Sequence, residues 1–147
     1  MECGRMITGP YGYLISRVLH IKRIYKTYVG LDACMANLMR PALYGAYHHI
    51  QPVKLSEDQD ITADIVGPVC ESGDFLAKNR EITKCEPGEL LSVMSAGAYG
   101  QGMASNYNAR RRPPEIVVDG SKHFSTRSRE TYEYMLFDEK IVDELHK

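Results

Sequence analysis

The sequence predicts a mainly β fold, a barrel or sandwich with short inserted helices and a C-terminal helix, on three observations. Short segments rich in β-branched and aromatic residues recur at close spacing; turn residues such as Pro87-Gly88 and Asp119-Gly120 separate them; and helical patterns are confined to brief inserts and the tail. Five to eight strands are expected on this pattern. At 147 residues and 44% hydrophobic content the chain can bury one core, so residues 1–147 are read as one domain.

Residues 11–25 alternate imperfectly, with Tyr13, Ile15, Val18, Ile21 and Ile24 among polar neighbours, and predict one long, bulged strand. Residues 27–32 form a second. Met35 to Met39 are good helix formers and predict about two turns stopped by Pro41. Residues 47–53 and 62–69 read as strands, the latter broken by Gly67 and Pro68. Residues 73–80 fit one helical turn or a structured loop, and 90–94 a strand. Gly97, Gly100 and Gly102 crowd a stretch of small residues where backbone must come close to something. Asp119-Gly120 joins strands 115–119 and 122–127 as a hairpin, and residues 129–147 have helical character. The polar stretch 55–60 reads as an exposed loop.

Eighteen basic against 19 acidic side chains give a net charge of −1, which offers no basic surface for nucleic acid or an anionic membrane. No run reaches the roughly 18 apolar residues of a membrane span, and the first residues lack a signal peptide's apolar stretch, so a cytoplasmic location is expected. A glycine turn within five residues of the start, running straight into a strand, predicts that further chain precedes this sequence. Cys3, Cys34, Cys70 and Cys85 form no CxxC pair, so reduced thiols are expected. His48 and His49 would point to opposite faces of a strand, a poor arrangement for one ion, and no metal is expected.

Chemistry-bearing residues concentrate in four places. Cys70-Glu71 follows an apolar run, at a strand end where loops build sites; the thiol reads either as a small core residue or as a reactive group. Arg40 and Tyr44 are four residues apart, and on a helix they share a face that can grip a carboxylate; the alternative is a surface arginine and a core tyrosine. Glu2-Cys3-Gly4-Arg5 is a glycine turn beside a guanidinium, able to offer N–H groups to an anion such as phosphate. Tyr99, between Gly97 and Gly100, places a phenol where backbone approaches a ligand, although most of the ten tyrosines must simply pack.

These pieces occur in one order: E-C-G-R at 2–5, R-P-A-L-Y at 40–44, G-P-V-C-E-S-G-D at 67–74, A-G-A-Y-G at 96–100, S-N-Y-N at 105–108 and R-R-R-P-P-E-I-V-V-D-G at 110–120. The series resembles the C-terminal part of diaminopimelate decarboxylases over nearly the whole chain. The resemblance implies a two-domain homodimer in which an (α/β)₈ barrel, outside this sequence, holds pyridoxal phosphate on a lysine and a β domain completes a site shared between subunits. It implies that Glu2, Cys3, Gly4 and Arg5 contribute to the cofactor phosphate site, that Arg5, Arg40 and Tyr44 contact the distal carboxylate of meso-diaminopimelate, that Glu71 binds its distal ammonium, that Cys70 donates a proton, and that Tyr99 touches cofactor and substrate.

The implied roles are chemically coherent. The cofactor ring is the electron sink, and the protein orients the bond to be broken and supplies a proton; a thiol, ionising at about pH 8.5, can release one near neutrality. Two arginines select a substrate with a second carboxylate, because lysine or ornithine would leave buried cations unpaired. Two departures from the family pattern are Cys3 in place of proline and Ser95 in place of aspartate. Rival readings are a related ornithine, arginine or carboxynorspermidine decarboxylase, or a non-catalytic β module for interaction or oligomerisation.

Overall fold

In the computed structural model, which describes residues 3–57 and 59–142, six strands form one sheet in the order β3-β6-β1-β2-β4-β5. They are β1 Leu14–Arg23, β2 Thr27–Leu31, β3 Ile50–Pro52, β4 Asp60–Val66, β5 Phe75–Thr83 and β6 Leu90–Val93. β2 and β4 are parallel and every other pairing is antiparallel. The sheet curls until its edge strands β3 and β5 approach each other, giving a nearly closed barrel. Arg80 of β5 bridges that gap, donating from Nη1 to the His48 carbonyl at 2.7 Å.

Val18, Val29, Leu31, Leu38, Ile50, Ile65, Leu76, Ile82, Leu91 and Val93 fill the interior. Each such side chain stabilises the fold by about 1.5–3 kcal/mol relative to exposure. Ser16 is also inside, and its hydroxyl donates to Asp32 Oδ1 at 2.6 Å and accepts from the Ala33 N–H at 3.0 Å, so the buried polar group is satisfied.

The predicted mainly β class holds, with corrections to several elements. The long first strand begins only at Leu14, after helix α1, Gly4–Thr8, and a 3₁₀ turn, Gly9–Tyr11. Its pairing with β2 slips between Val18 and His20, and Ile15 and Ile24 face solvent, so the apparent apolar spacing does not mark the buried face. Pro41 does not stop a helix over 35–39; it opens α2, Arg40–Tyr44, where a first-turn residue needs no N–H donor. Residues 75–83, expected as a helical turn or loop, are strand β5. Asn79, at φ 46°, interrupts the strand's alternation and hides it from a period count. The strand over 47–53 shortens to β3, and 62–69 becomes β4, ending before Gly67.

The chain divides into two compact units, Met1–Ala104 and Ser105–Lys147. In the second, β7, Glu115–Asp119, and β8, Lys122–Arg127, form the expected hairpin, turning through Gly120 at φ 57°. The helical character expected over 129–147 reduces to α3, Tyr132–Met135, capped by Thr131; residues 143–147 lie outside the described residues. Burial pushes the Glu130 carboxyl up, but the Arg112 side chain and N–H and the Asn106 amide all donate to it, and together with the Arg112 charge they bring its pKa down to about 2.

Candidate active site

In the first unit a close backbone contact sets the site. The Gly12 and Gly97 backbones touch, and a Cβ on either would collide with main-chain atoms of the other segment. The Ala96 N–H donates to Gly12 O at 2.8 Å and the Gly97 N–H to Gly9 O at 3.2 Å. This contact is why the A-G-A-Y-G run needs its small residues. It lays the loop that carries Tyr99 against the turn following α1, the helix that carries Arg5. Tyr99 itself sits at φ 61°, a left-handed backbone that a bulky residue adopts only when its surroundings impose it.

Arg40 arrives from a third segment. It is the first residue of α2, which ends at Gly45 in the left-handed conformation, the Gly45 N–H donating to Pro41 O at 3.0 Å. The Arg40 guanidinium lies 5.7 Å from the centre of the Tyr99 ring. Tyr47 and His48 follow the helix, and the Arg80 guanidinium stacks 4.0 Å from the Tyr47 ring centre.

Cys3, Arg5, Met6, Gly9, Pro10, Arg40, Ala46, Tyr47, His48, Ser95 and Tyr99 enclose an open pocket of about 790 Å³. Among these residues there are two guanidinium groups and no carboxylate, so the pocket favours anions. His48 is buried beneath it. Its Nδ1 faces the Met94 carbonyl at 2.9 Å and must carry the proton, which leaves Nε2 a buried acceptor without a partner among the described residues. Burial pushes this imidazole below the usual histidine range, the Met94 carbonyl opposes the shift, and the Arg40 and Arg80 charges reinforce it.

The remaining predicted residues lie elsewhere. Tyr44 is two-thirds exposed and, although on the helix of Arg40, does not line the pocket. Cys70 and Glu71 are exposed on the tight loop between β4 and β5 and do not line it either. Gly4 opens α1 rather than a free turn, and Glu2 lies outside the described residues. Sequence reasoning missed Tyr47 and His48. The signal is the Y-H-H run just after the helix that begins at Arg40, aromatic and imidazole side chains next to a candidate cation.

Residues 8–97 match the family described as "Pyridoxal-dependent decarboxylase, C-terminal sheet domain". The chain belongs to this family. Among the curated relatives of this C-terminal sheet domain, the diaminopimelate decarboxylase of Neisseria meningitidis serogroup B is 51% identical over 140 residues, 95% of this chain and 34% of that protein. The diaminopimelate decarboxylase of Aquifex aeolicus is 47% identical over 137 residues, 92% of this chain and 33% of that protein. The crystal structure of the M. jannaschii diaminopimelate decarboxylase with L-lysine superposes with a TM-score of 0.91 at 39% identity, over 97% of this chain and 33% of that one. The chain therefore spans about a third of the length of the curated relatives it matches. Among the described residues no helix is long and apolar enough to cross a membrane.

Proposed function

We propose that the complete protein carrying this domain is a homodimeric decarboxylase that uses pyridoxal phosphate to convert meso-2,6-diaminoheptanedioate to L-lysine and carbon dioxide. In this reading residues 1–147 are the C-terminal β domain of a two-domain enzyme whose barrel holds the cofactor lysine. The observation that carries it is the pocket in which Arg5, Arg40 and Tyr99 meet. Two permanent cations beside a phenol fit both the phosphate of this cofactor and a substrate carboxylate, and relatives of this domain at 47–51% identity are diaminopimelate decarboxylases.

Pyridoxal phosphate, when bound, supplies the electron sink that lets the bond to the departing carboxylate break. Arg5, with the backbone of Cys3 and Gly4, contributes to holding the phosphate, and Glu2 precedes them in the same cofactor-binding run. Arg40, together with Arg5, grips the distal carboxylate and so excludes mono-acids, and Tyr44, on the same helix but outside the lining of this chain's pocket, reaches that carboxylate only in the assembled site. Glu71 takes the distal ammonium, and Cys70 Sγ gives its proton to the carbon that lost carbon dioxide. Cys70 and Glu71 lie away from the pocket of their own chain, which supports their acting in the partner subunit's site.

The test is Arg40→Ala in the complete enzyme. It is expected to raise KM for the di-acid and to lower kcat/KM by one to a few orders of magnitude, roughly 2–4 kcal/mol, while leaving residual turnover of lysine analogues that lack the distal carboxylate nearly unchanged. Equal losses on both substrates would make Arg40 structural. Among the described residues no lysine lines the pocket, so residues 1–147 alone are expected to form no borohydride-trappable cofactor adduct at a unique lysine.

A further inference from the structure

In the run G-P-V-C-E-S-G-D the roles above use Cys70 and Glu71 and leave Gly67 and Asp74 unexplained. Asp74 is a buried carboxylate, 5% exposed, at the base of the loop between β4 and β5. One oxygen, Oδ2, accepts the Val69 N–H at 2.9 Å, inside the loop and one residue before Cys70. The other, Oδ1, accepts the Met35 N–H at 2.7 Å, in the segment that leads from β2 into α2 and so to Arg40. The main chain closes around the same side chain: Gly67 N–H donates to Asp74 O at 3.2 Å, Asp74 N–H to Glu71 O at 3.1 Å, and Glu71 N–H to Val69 O at 2.9 Å. Gly67 lies so close to the carboxylate and to Cys34 that a Cβ there would overlap both. A buried charge held by N–H donors on two segments fixes both more firmly than a neutral acceptor does.

The geometry points to Asp74 as a positioning residue that sets the loop bearing Cys70 and Glu71 relative to the segment that delivers Arg40. This rests on the reading above that Cys70 is the proton donor. Asp74, buried at the base of the loop with main-chain N–H donors on both carboxylate oxygens, acts through the loop.

The experiment uses the complete enzyme and four variants: Asp74→Asn, Cys70→Ala, the double variant, and Asp64→Asn as control. Asp64 is an equally buried carboxylate, but it accepts the Asn79 N–H at 2.6 Å and pairs with Lys26 at 3.3 Å, serving the β5 irregularity and not the Cys70 loop. Asp74→Asn is expected to lower kcat/KM roughly tenfold to a hundredfold in the parent and less than about threefold on top of Cys70→Ala. It is also expected to change the alkylation rate of Cys70 relative to that of exposed Cys3 while buried Cys34 and Cys85 stay protected. Asp64→Asn is expected to lower thermal stability without either effect. If Asp74→Asn exposes Cys34 and Cys85, Asp74→Glu, which keeps the charge, carries the same comparison.

Normal kcat in Cys70→Ala overturns the donor assignment and this inference with it. A large loss in Cys70→Ala, with Asp74→Asn equally costly in both backgrounds or harmless in the parent, overturns the inference alone.

Discussion

The pocket around Arg40 and the loop around Cys70 are built in opposite ways. Arg5, Arg40 and Tyr99 come from three distant segments, which a backbone contact between Gly12 and Gly97 and the start of α2 at Arg40 bring together. Cys70 and Glu71 are neighbours on one hairpin loop, closed by its own hydrogen bonds, and they face solvent. A site assembled from distant segments depends on the packing of the whole barrel. A site on a local loop depends on a few bonds at its base. Lesions in the two regions should therefore differ in kind, the first affecting binding and stability together and the second affecting turnover.

The largest expected effect is on the loop side. Cys70→Ala in the complete enzyme should retain cofactor and substrate binding but lose about two to four decades in kcat, the range of general acid catalysis. Mixing it with subunits that lack the cofactor lysine should restore roughly a quarter to a half of the activity if the thiol serves the partner's site. No recovery in mixed dimers would place it in its own subunit's site.

Next is Gly97→Ala, which strikes the pocket through packing. Its Cβ would fall on the Thr8 carbonyl and the Gly12 nitrogen, which are main chain and cannot swing aside. A loss of about 2–3 kcal/mol in unfolding free energy, with weakened phosphate binding, is expected in denaturant titration and calorimetry. Gly102→Ala, where nothing lies near a Cβ, should be close to neutral and serves as the control.

Thiol chemistry sharpens the contrast. Exposed Cys3 and Cys70 of the domain should alkylate readily, whereas buried Cys34 and Cys85 should react at least about a hundredfold more slowly, as peptide mapping after iodoacetamide will show. Cys85 is doubly protected, because burial, with Glu89 and Glu86 beside it, pushes its pKa up to about 11.

The smallest effect is pH dependence on the pocket side. His48 titrates in the unfolded chain near 6.5 and lower in the fold, so the unfolded state takes up more protons once the pH drops below about 6.5. Stability should fall there and level off when both states are protonated. Denaturant midpoints between pH 7.5 and pH 5, in about half-unit steps, should show this slope in the parent and a weaker one in His48→Gln.

The sequence on its own determined the class of fold, the hairpin at Asp119-Gly120 and the run C-E-S-G-D as a loop at a strand end, because these depend on residue type within a few positions. It also marked the glycines at 97 and 100 as places of close approach. Only the tertiary structure decided what approaches Gly97, that Pro41 opens a helix instead of ending one, and that 75–83 is a strand despite Asn79. It likewise decided that Tyr47 and His48 wall the pocket while Tyr44 does not, and that Asp74 joins two segments 39 positions apart. The physical reason is range. Propensity and turn chemistry act between neighbours, whereas a buried carboxylate or a glycine contact takes its meaning from a partner that the fold supplies.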